Sequence, residues 1–323
     1  MKKMVKLLAL AMMITLFIPE NLMVFAKEEE KYKYAITVES DDWFDYSVLE
    51  KNKMLEIDNQ TTSEMSDEEL VRAIADYPYL IDIYVCDTMD EGLKQFGETC
   101  NAFCVLMKRQ SGAEAFIKYS KIIINEMKEK PRSDGRTEFV SIALSDISKQ
   151  LEKSIETVMT CYTSLSAPTT PNGSSVSYIT PSENHTTAYH ATLDNEVVST
   201  YGVTLVRNGS CKYNCHSYAW HSTSSGNIYW INNPSVYMTD GSYKRKYSGS
   251  VSSSIYSLGL SVNDRIYYAS NTHSAYFIDN PLNGAPLATL KAKSKWGQLG
   301  VFEHTVTNVP SSYSYSTVTI WHR

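Results

Sequence analysis

The spacing of apolar residues changes once along this chain, and the change divides it in two. Between residues 66 and 161 apolar positions recur at intervals of three and four, as in helices with one buried face. Ser66-Asp67-Glu68-Glu69 reads as a capping box, and Leu70, Val71, Ile74 and Ala75 follow on one face until Pro78 ends the helix. Further amphipathic helices are predicted at residues 89–108, 112–129 and 139–161, the last carrying Ile142, Leu144, Ile147, Leu151, Ile155 and Val158. Past residue 182 short alternating runs take over: Val203-Thr204-Leu205-Val206, Arg265-Ile266-Tyr267-Tyr268 and Tyr276-Phe277-Ile278 read as strands. Residues 164–182, rich in Ser, Thr, Pro, Gly and Asn, read as an exposed linker. The expected class is α+β: an extension over 27–65, a helical module over 66–163, the linker, and a domain over 183–323 in which a cysteine-bearing helix precedes a small antiparallel sheet.

The first 26 residues fall outside this pattern. Lys2, Lys3 and Lys6 form a basic start, residues 7–18 are apolar, and Val24-Phe25-Ala26 supplies the small residues a signal peptidase cuts after. The apolar stretch is too short for an ordinary membrane span, and no later segment approaches the roughly 20 apolar residues that one needs. The chain is therefore expected to be secreted, without a membrane anchor. Loss of residues 1–26 would remove three lysines and Glu20, leaving 27 basic and 35 acidic groups and a net charge of about −8. That balance argues against a nucleic-acid partner. No phosphate-cradling glycine motif is present, and no cofactor is implied.

Within the C-terminal region the chemistry concentrates in Asn214-Cys215-His216-Ser217-Tyr218-Ala219-Trp220 and, downstream, Thr272-His273-Ser274-Ala275. A cysteine opening a helix is a thiolate candidate, because the helix dipole and its free N–H groups stabilise negative charge. A histidine at the head of a strand can take the thiol proton and pass it to a leaving amine. With Asn263-Asp264-Arg265-Ile266-Tyr267 leading into His273, and Asn263 standing where glycine is usual, these blocks resemble the papain-like cysteine hydrolases of the NlpC/P60 and CHAP type. Asn also tolerates a left-handed turn. The Ser294-Lys295-Trp296-Gly297 block and His304 suggest a divergent secreted branch of that superfamily. The resemblance implies a cysteine nucleophile at a helix N-terminus, a histidine on the second strand of a small sheet, and a third polar group on the strand after it.

Residues 288–296 would be that strand. Lys295, when charged, cannot accept a hydrogen bond from imidazole, so the orienting role falls to Ser294 or His304, with Gln298 or a main-chain carbonyl as alternatives. His216 and His221 flank the cysteine, too close in sequence to face its sulfur well. Cys211, Cys215, His216 and His221 lie within eleven residues, but Cys211-x3-Cys215 lacks the second thiol pair of a structural zinc site, so no metal is assigned. A Cys211–Cys215 disulfide is a further alternative. The expected function is a secreted amidase or peptidase acting on an extracellular peptide or peptidoglycan. The competing expectation is a non-catalytic extracellular binding or adhesion module on the same fold, its tyrosines making the contacts. The oligomeric state is left open.

Overall fold

One short helical stretch, largely buried, lies where the sequence pattern shows only a break. In the computed structural model, which describes residues 32–153, 167–181, 183–253, 259–268, 272–279 and 285–323, the helix Asp67–Asp76 opens on the expected capping box. The Ser66 side chain accepts from the Glu69 N–H, and the Glu69 carboxylate accepts from the Ser66 N–H. Leu70, Val71, Ile74 and Ala75 are buried as predicted, joined by Ala73. After Pro78 the chain does not leave the core. It makes a tight 3-10 stretch, Leu80–Tyr84, in which Leu80, Ile81, Ile83 and Tyr84 are all buried.

The helices Met89–Thr99, Asn101–Lys108, Gly112–Glu129 and Thr137–Lys153 complete the helical part. The predicted stretch 139–161 is helical as far as Lys153, and residues 154–161 lie outside the described residues, as do residues 1–26. The extension over 27–65 contributes two short helices, Val48–Met54 and Asn59–Glu64.

Beyond the helix Thr187–Tyr201 the chain builds one antiparallel sheet of seven strands in the order β1-β6-β5-β4-β3-β7-β2. The strands are β1 (Thr204–Arg207), β2 (Lys244–Ser250), β3 (Arg265–Tyr268), β4 (Ser274–Phe277), β5 (Lys291–Lys295), β6 (Val301–Thr305) and β7 (Thr317–His322). The class is thus α+β. Every residue of the central strand β4 is buried, so both faces of the sheet are covered there. The edge strand β2 carries Lys244, Arg245 and Lys246, the kind of charged edge that discourages pairing with another sheet. Asn263 leads into β3 with a φ of +69°, the left-handed conformation expected at the position where glycine is usual.

Lys33–Arg323 forms one compact unit, in which helices and sheet share their contacts. Arg136 pairs with Glu196 at 2.7 Å, both nearly fully buried. The Trp43 indole N–H donates to the Thr200 carbonyl, and the Tyr201 hydroxyl to Asp82. Residues 164–182, expected as an exposed linker, behave differently over their described part. Val176 is buried, Ile179 bridges Trp230, and Thr170 bonds Asp240. The polar composition there serves a tight turn docked on the sheet-bearing half, its Asn172-Gly173 closed by a Gly173 N–H to Thr170 carbonyl bond. No helix among the described residues is long and apolar enough to cross a membrane.

The turn between β5 and β6 explains the glycine of the Ser294-Lys295-Trp296-Gly297 block. Gly297 has a φ of +49°, and a Cβ there would lie 2.6 Å from the Tyr84 carbonyl oxygen and 2.7 Å from that of Val85. Left-handed backbone alone costs a side chain about 1–2 kcal/mol, and here rigid main chain also blocks it. Gly297→Ala is expected to lower unfolding stability by about 2 kcal/mol or more, whereas Gly226→Ala, whose nearest new neighbour is a serine hydroxyl at 3.6 Å, changes it little. Urea unfolding of both proteins checks this, and equal midpoints would mean that the turn does not seat on the helical half.

Candidate functional site

Asn214 builds the position of the cysteine. Its side-chain oxygen accepts from the Ser217 N–H at 3.1 Å and from the Ile231 N–H, while its amide donates to the Ile231 carbonyl and to Asp87. It is therefore the cap of the following helical turn, a role asparagine fills well, and it puts Cys215 at the first helical position. The turn then widens: Ser217–His221 is π-helical, closed by the Ser222 N–H on the Ser217 carbonyl. Such local widening recurs at functional sites. Tyr218, Ala219 and Trp220 face inward, and the Trp220 indole donates to the Ser274 hydroxyl on β4.

That packing brings the cysteine to the start of β4. The Cys215 sulfur, almost fully buried, lies 3.9 Å from the Thr272 carbonyl oxygen, and the N–H groups of Ser274 and His216 face it. The main chain on both sides of His273 thus touches the thiol. His273 immediately precedes β4, the third strand after the cysteine rather than the second. Its imidazole is fully buried, stacked on the Tyr313 ring at 3.8 Å between centroids and 5° between planes. Neither of its ring nitrogens has a hydrogen-bond partner. Burial, aided by the neighbouring His304 and His216, holds its pKa well below the ordinary imidazole value.

The thiol departs from expectation. Burial, and then the Asp87 carboxylate, push its pKa upward, outweighing the two N–H groups and Lys295, which lower it. A helix N-terminus is present, but desolvation dominates and favours the neutral forms of thiol and imidazole, which no hydrogen bond joins.

Ser294 and His304 do not orient His273. His304 Nδ1 lies 2.8 Å from the Thr305 carbonyl, which can only accept, so Nδ1 carries the hydrogen. Its bare Nε2 then accepts from the Ser294 hydroxyl at 2.7 Å, and that hydroxyl accepts from the Trp296 indole N–H at 3.0 Å. The chain of bonds is complete without His273, and burial lowers the pKa of His304 to about 4, which favours its neutral form. Lys295 is buried beside them, its ammonium donating to the Ser210 and Gly297 carbonyls, and burial lowers its pKa to about 8. Gln298 meets the Cys211 thiol, not His273.

One cleft reaches the cysteine turn at His216, a second reaches Cys211, and neither is lined by Cys215 or His273. The first, of about 310 Å³, is lined by Asp87, Thr88, His216, Asn232, Thr272 and Tyr313. The other, about 380 Å³, runs past Asp87, Asp146, His185, Tyr189, Cys211 and Gln298. Asp87 lines both, and partial burial raises its pKa to about 6. His216 hydrogen-bonds Ser274 through Nδ1 at 2.8 Å, and His221 packs its ring against Tyr229. The described cysteines, Cys86, Cys100, Cys104, Cys211 and Cys215, are all free thiols, so Cys211 and Cys215 are not joined. Cys211 instead meets Glu183 and His190, and among the described residues this is the one cluster of three groups arranged to hold a metal ion. Asn214 is readable from residue order as a helix cap, whereas Asp87, Glu183 and His190 come from segments distant in sequence.

The chain matches no known family model, no curated protein and no solved structure.

The two buried imidazoles carry a pH dependence. Unfolded histidine titrates near 6.5, whereas His273 and His304 stay neutral in the fold well below that. As pH falls below about 6.5 the unfolded chain binds protons that the folded one refuses, so stability falls. Each group contributes about 1.4 kcal/mol per pH unit until its folded pKa is reached; for His304 that is about 4. His304→Gln is expected to flatten the decline in unfolding free energy between pH 6.5 and 4.5. Parallel slopes for variant and wild type would show that His304 is already charged in the fold.

Proposed function

We propose that this protein is a secreted cysteine amidase or peptidase of papain-like type, with Cys215 as nucleophile and His273 as general base. The observation that carries the reading is the contact of the Cys215 sulfur with the main chain on either side of His273, whose buried imidazole leaves both nitrogens unpartnered. Orphaned polar atoms in a protein interior are costly and call for an explanation, and a base kept neutral for one proton transfer is such an explanation.

In the mechanism the imidazole takes the thiol proton as the sulfur attacks an amide carbonyl. The resulting oxyanion is held by the Cys215 N–H at the head of the helix, an arrangement typically worth a few kcal/mol of barrier. The imidazolium then protonates the departing amine, and water, activated by the same imidazole, hydrolyses the thioester. Stacking on Tyr313 replaces a hydrogen-bonding third residue in fixing the ring plane. The leader-like composition of residues 1–26 and the resemblance to wall hydrolases favour an extracellular peptide or peptidoglycan amide as substrate.

His216 offers a second reading of the base, because it lines the 310 Å³ cleft whereas His273 lies behind Tyr313. A binding module that keeps the fold without chemistry is the remaining alternative.

Incubation with peptidoglycan fragments, followed by detection of new amines, separates these readings. Cys215→Ala should abolish release and His273→Ala should reduce it roughly a hundredfold or more, while His304→Gln leaves it within about tenfold. Loss on His216→Ala with activity retained in His273→Ala would transfer the base role to His216. Binding of the fragments without release by the wild type would establish the binding module. Because the thiol is held protonated, alkylation of Cys215 by iodoacetamide should climb steadily from pH 6 to pH 9. A rate already at its plateau at pH 6 would instead reveal a preformed thiolate.

A further inference from the structure

We propose that Glu183, His190 and Cys211 form a binding site for a divalent transition-metal ion of the zinc type, with an open coordination position facing the 380 Å³ cleft. One donor atom from each residue lies within 4.8 Å of the others, and Glu183 Oε1 is 3.0 Å from His190 Nε2. Zinc bonds nitrogen and oxygen at about 2.0–2.2 Å and sulfur at about 2.3 Å, which places tetrahedral ligands roughly 3.3–3.8 Å apart. Small side-chain rotations therefore suffice to close these three groups on one ion. Mixed sulfur, nitrogen and oxygen donors are the set that zinc accepts, and three protein ligands with a free position mark a site that meets exogenous ligands.

The surroundings hold these donors in place. Glu183 Oε2 accepts from the Cys211 N–H at 2.9 Å and from the Ser210 hydroxyl at 3.0 Å, which turns Oε1 towards His190. The buried ammonium of Lys295 grips the Ser210 carbonyl and so anchors the loop that presents Cys211. His190 stands in the first turn of the helix Thr187–Tyr201, nearly fully buried, and its Nδ1 has no hydrogen-bond partner. The contacts to Glu183 and to the Cys211 loop are of the kind that fix ligand orientation in metal sites, and His190 lacks one at Nδ1.

The same three residue types can make a nucleophile, base and orienter. Here His190 Nε2 is engaged by Glu183 Oε1, its Nδ1 is buried without a partner, and the Cys211 thiol donates to Gln298 Oε1 at 3.5 Å. Cys211 lines the cleft together with His185, Tyr189 and Asp146, and the open position therefore looks onto a polar wall. Metal binding would convert the Cys211 thiol to thiolate with release of its proton to solvent.

Titration of the reduced, chelator-treated full-length protein with Co²⁺ reads the site directly. A thiolate-to-cobalt charge-transfer band in the near ultraviolet is expected, absent in Cys211→Ser, weakened at least about tenfold in affinity in His190→Ala and Glu183→Gln, and retained in Cys215→Ser. Failure of the catalytic reading would leave this result unchanged. To guard against a variant that does not fold, Zn²⁺ should also protect Cys211 of the wild-type protein from iodoacetamide, as read by mass spectrometry, while leaving Cys104 reactive. Absence of both the band and the protection would overturn the proposal, as would a band that survives in Cys211→Ser and vanishes in Cys215→Ser.

Discussion

The largely buried stretch from Tyr79 to Asp87 is the contact on which the rest of this structure depends. Its apolar side chains fill the core of the helical half, while its main chain and acids serve the other half. The Val85 carbonyl accepts from the Tyr313 hydroxyl, and Gly297 closes on the carbonyls of Tyr84 and Val85. Asp87 receives the Asn214 amide, and Asn214 in turn caps the turn that begins with Cys215. Hydrogen bonds to backbone groups in a packed interior have few alternative partners, so this seam fixes where the cysteine turn and the aromatic cluster under β4 can lie.

That cluster gives the candidate site its electrostatic character. His273 is stacked on Tyr313 and tilted against Tyr268, and Trp296 lies between Tyr313 and His304. Few charges are tolerated there: imidazoles are driven neutral, the thiol is driven protonated, and even the Lys295 ammonium is made easier to deprotonate. This is a setting of neutral thiol and neutral imidazole, with no hydrogen bond between the Cys215 sulfur and either His273 nitrogen. It differs from the open, electropositive setting that makes a surface cysteine indiscriminately reactive.

Much of the framework was legible from residue order alone. The capping box at Ser66, the left-handed Asn263, the helix-opening cysteine and a histidine at the head of a strand rest on local rules: side-chain caps, tolerance of positive φ, and the change of apolar period from about 3.6 to 2. The roles of Ser294 and His304 were not legible. Their place one strand beyond the histidine suggested an orienting group, and only the direction of the Thr305 carbonyl and the Trp296 indole shows that their hydrogen bonds are already used among themselves.

The sequence by itself thus determined most of the elements and the α+β class, and it placed Cys215 at a helix start and His273 at the head of a strand, because each depends on neighbours within a few positions. The tertiary structure alone decided which ionisation state those residues hold, since burial by distant aromatic rings governs desolvation. It also decided that residues 167–181 dock instead of hanging free, and that Glu183, His190 and Cys211 converge. Such convergence depends on how a helix, a loop and the end of β5 pack, and pairwise spacing along the chain carries no record of it.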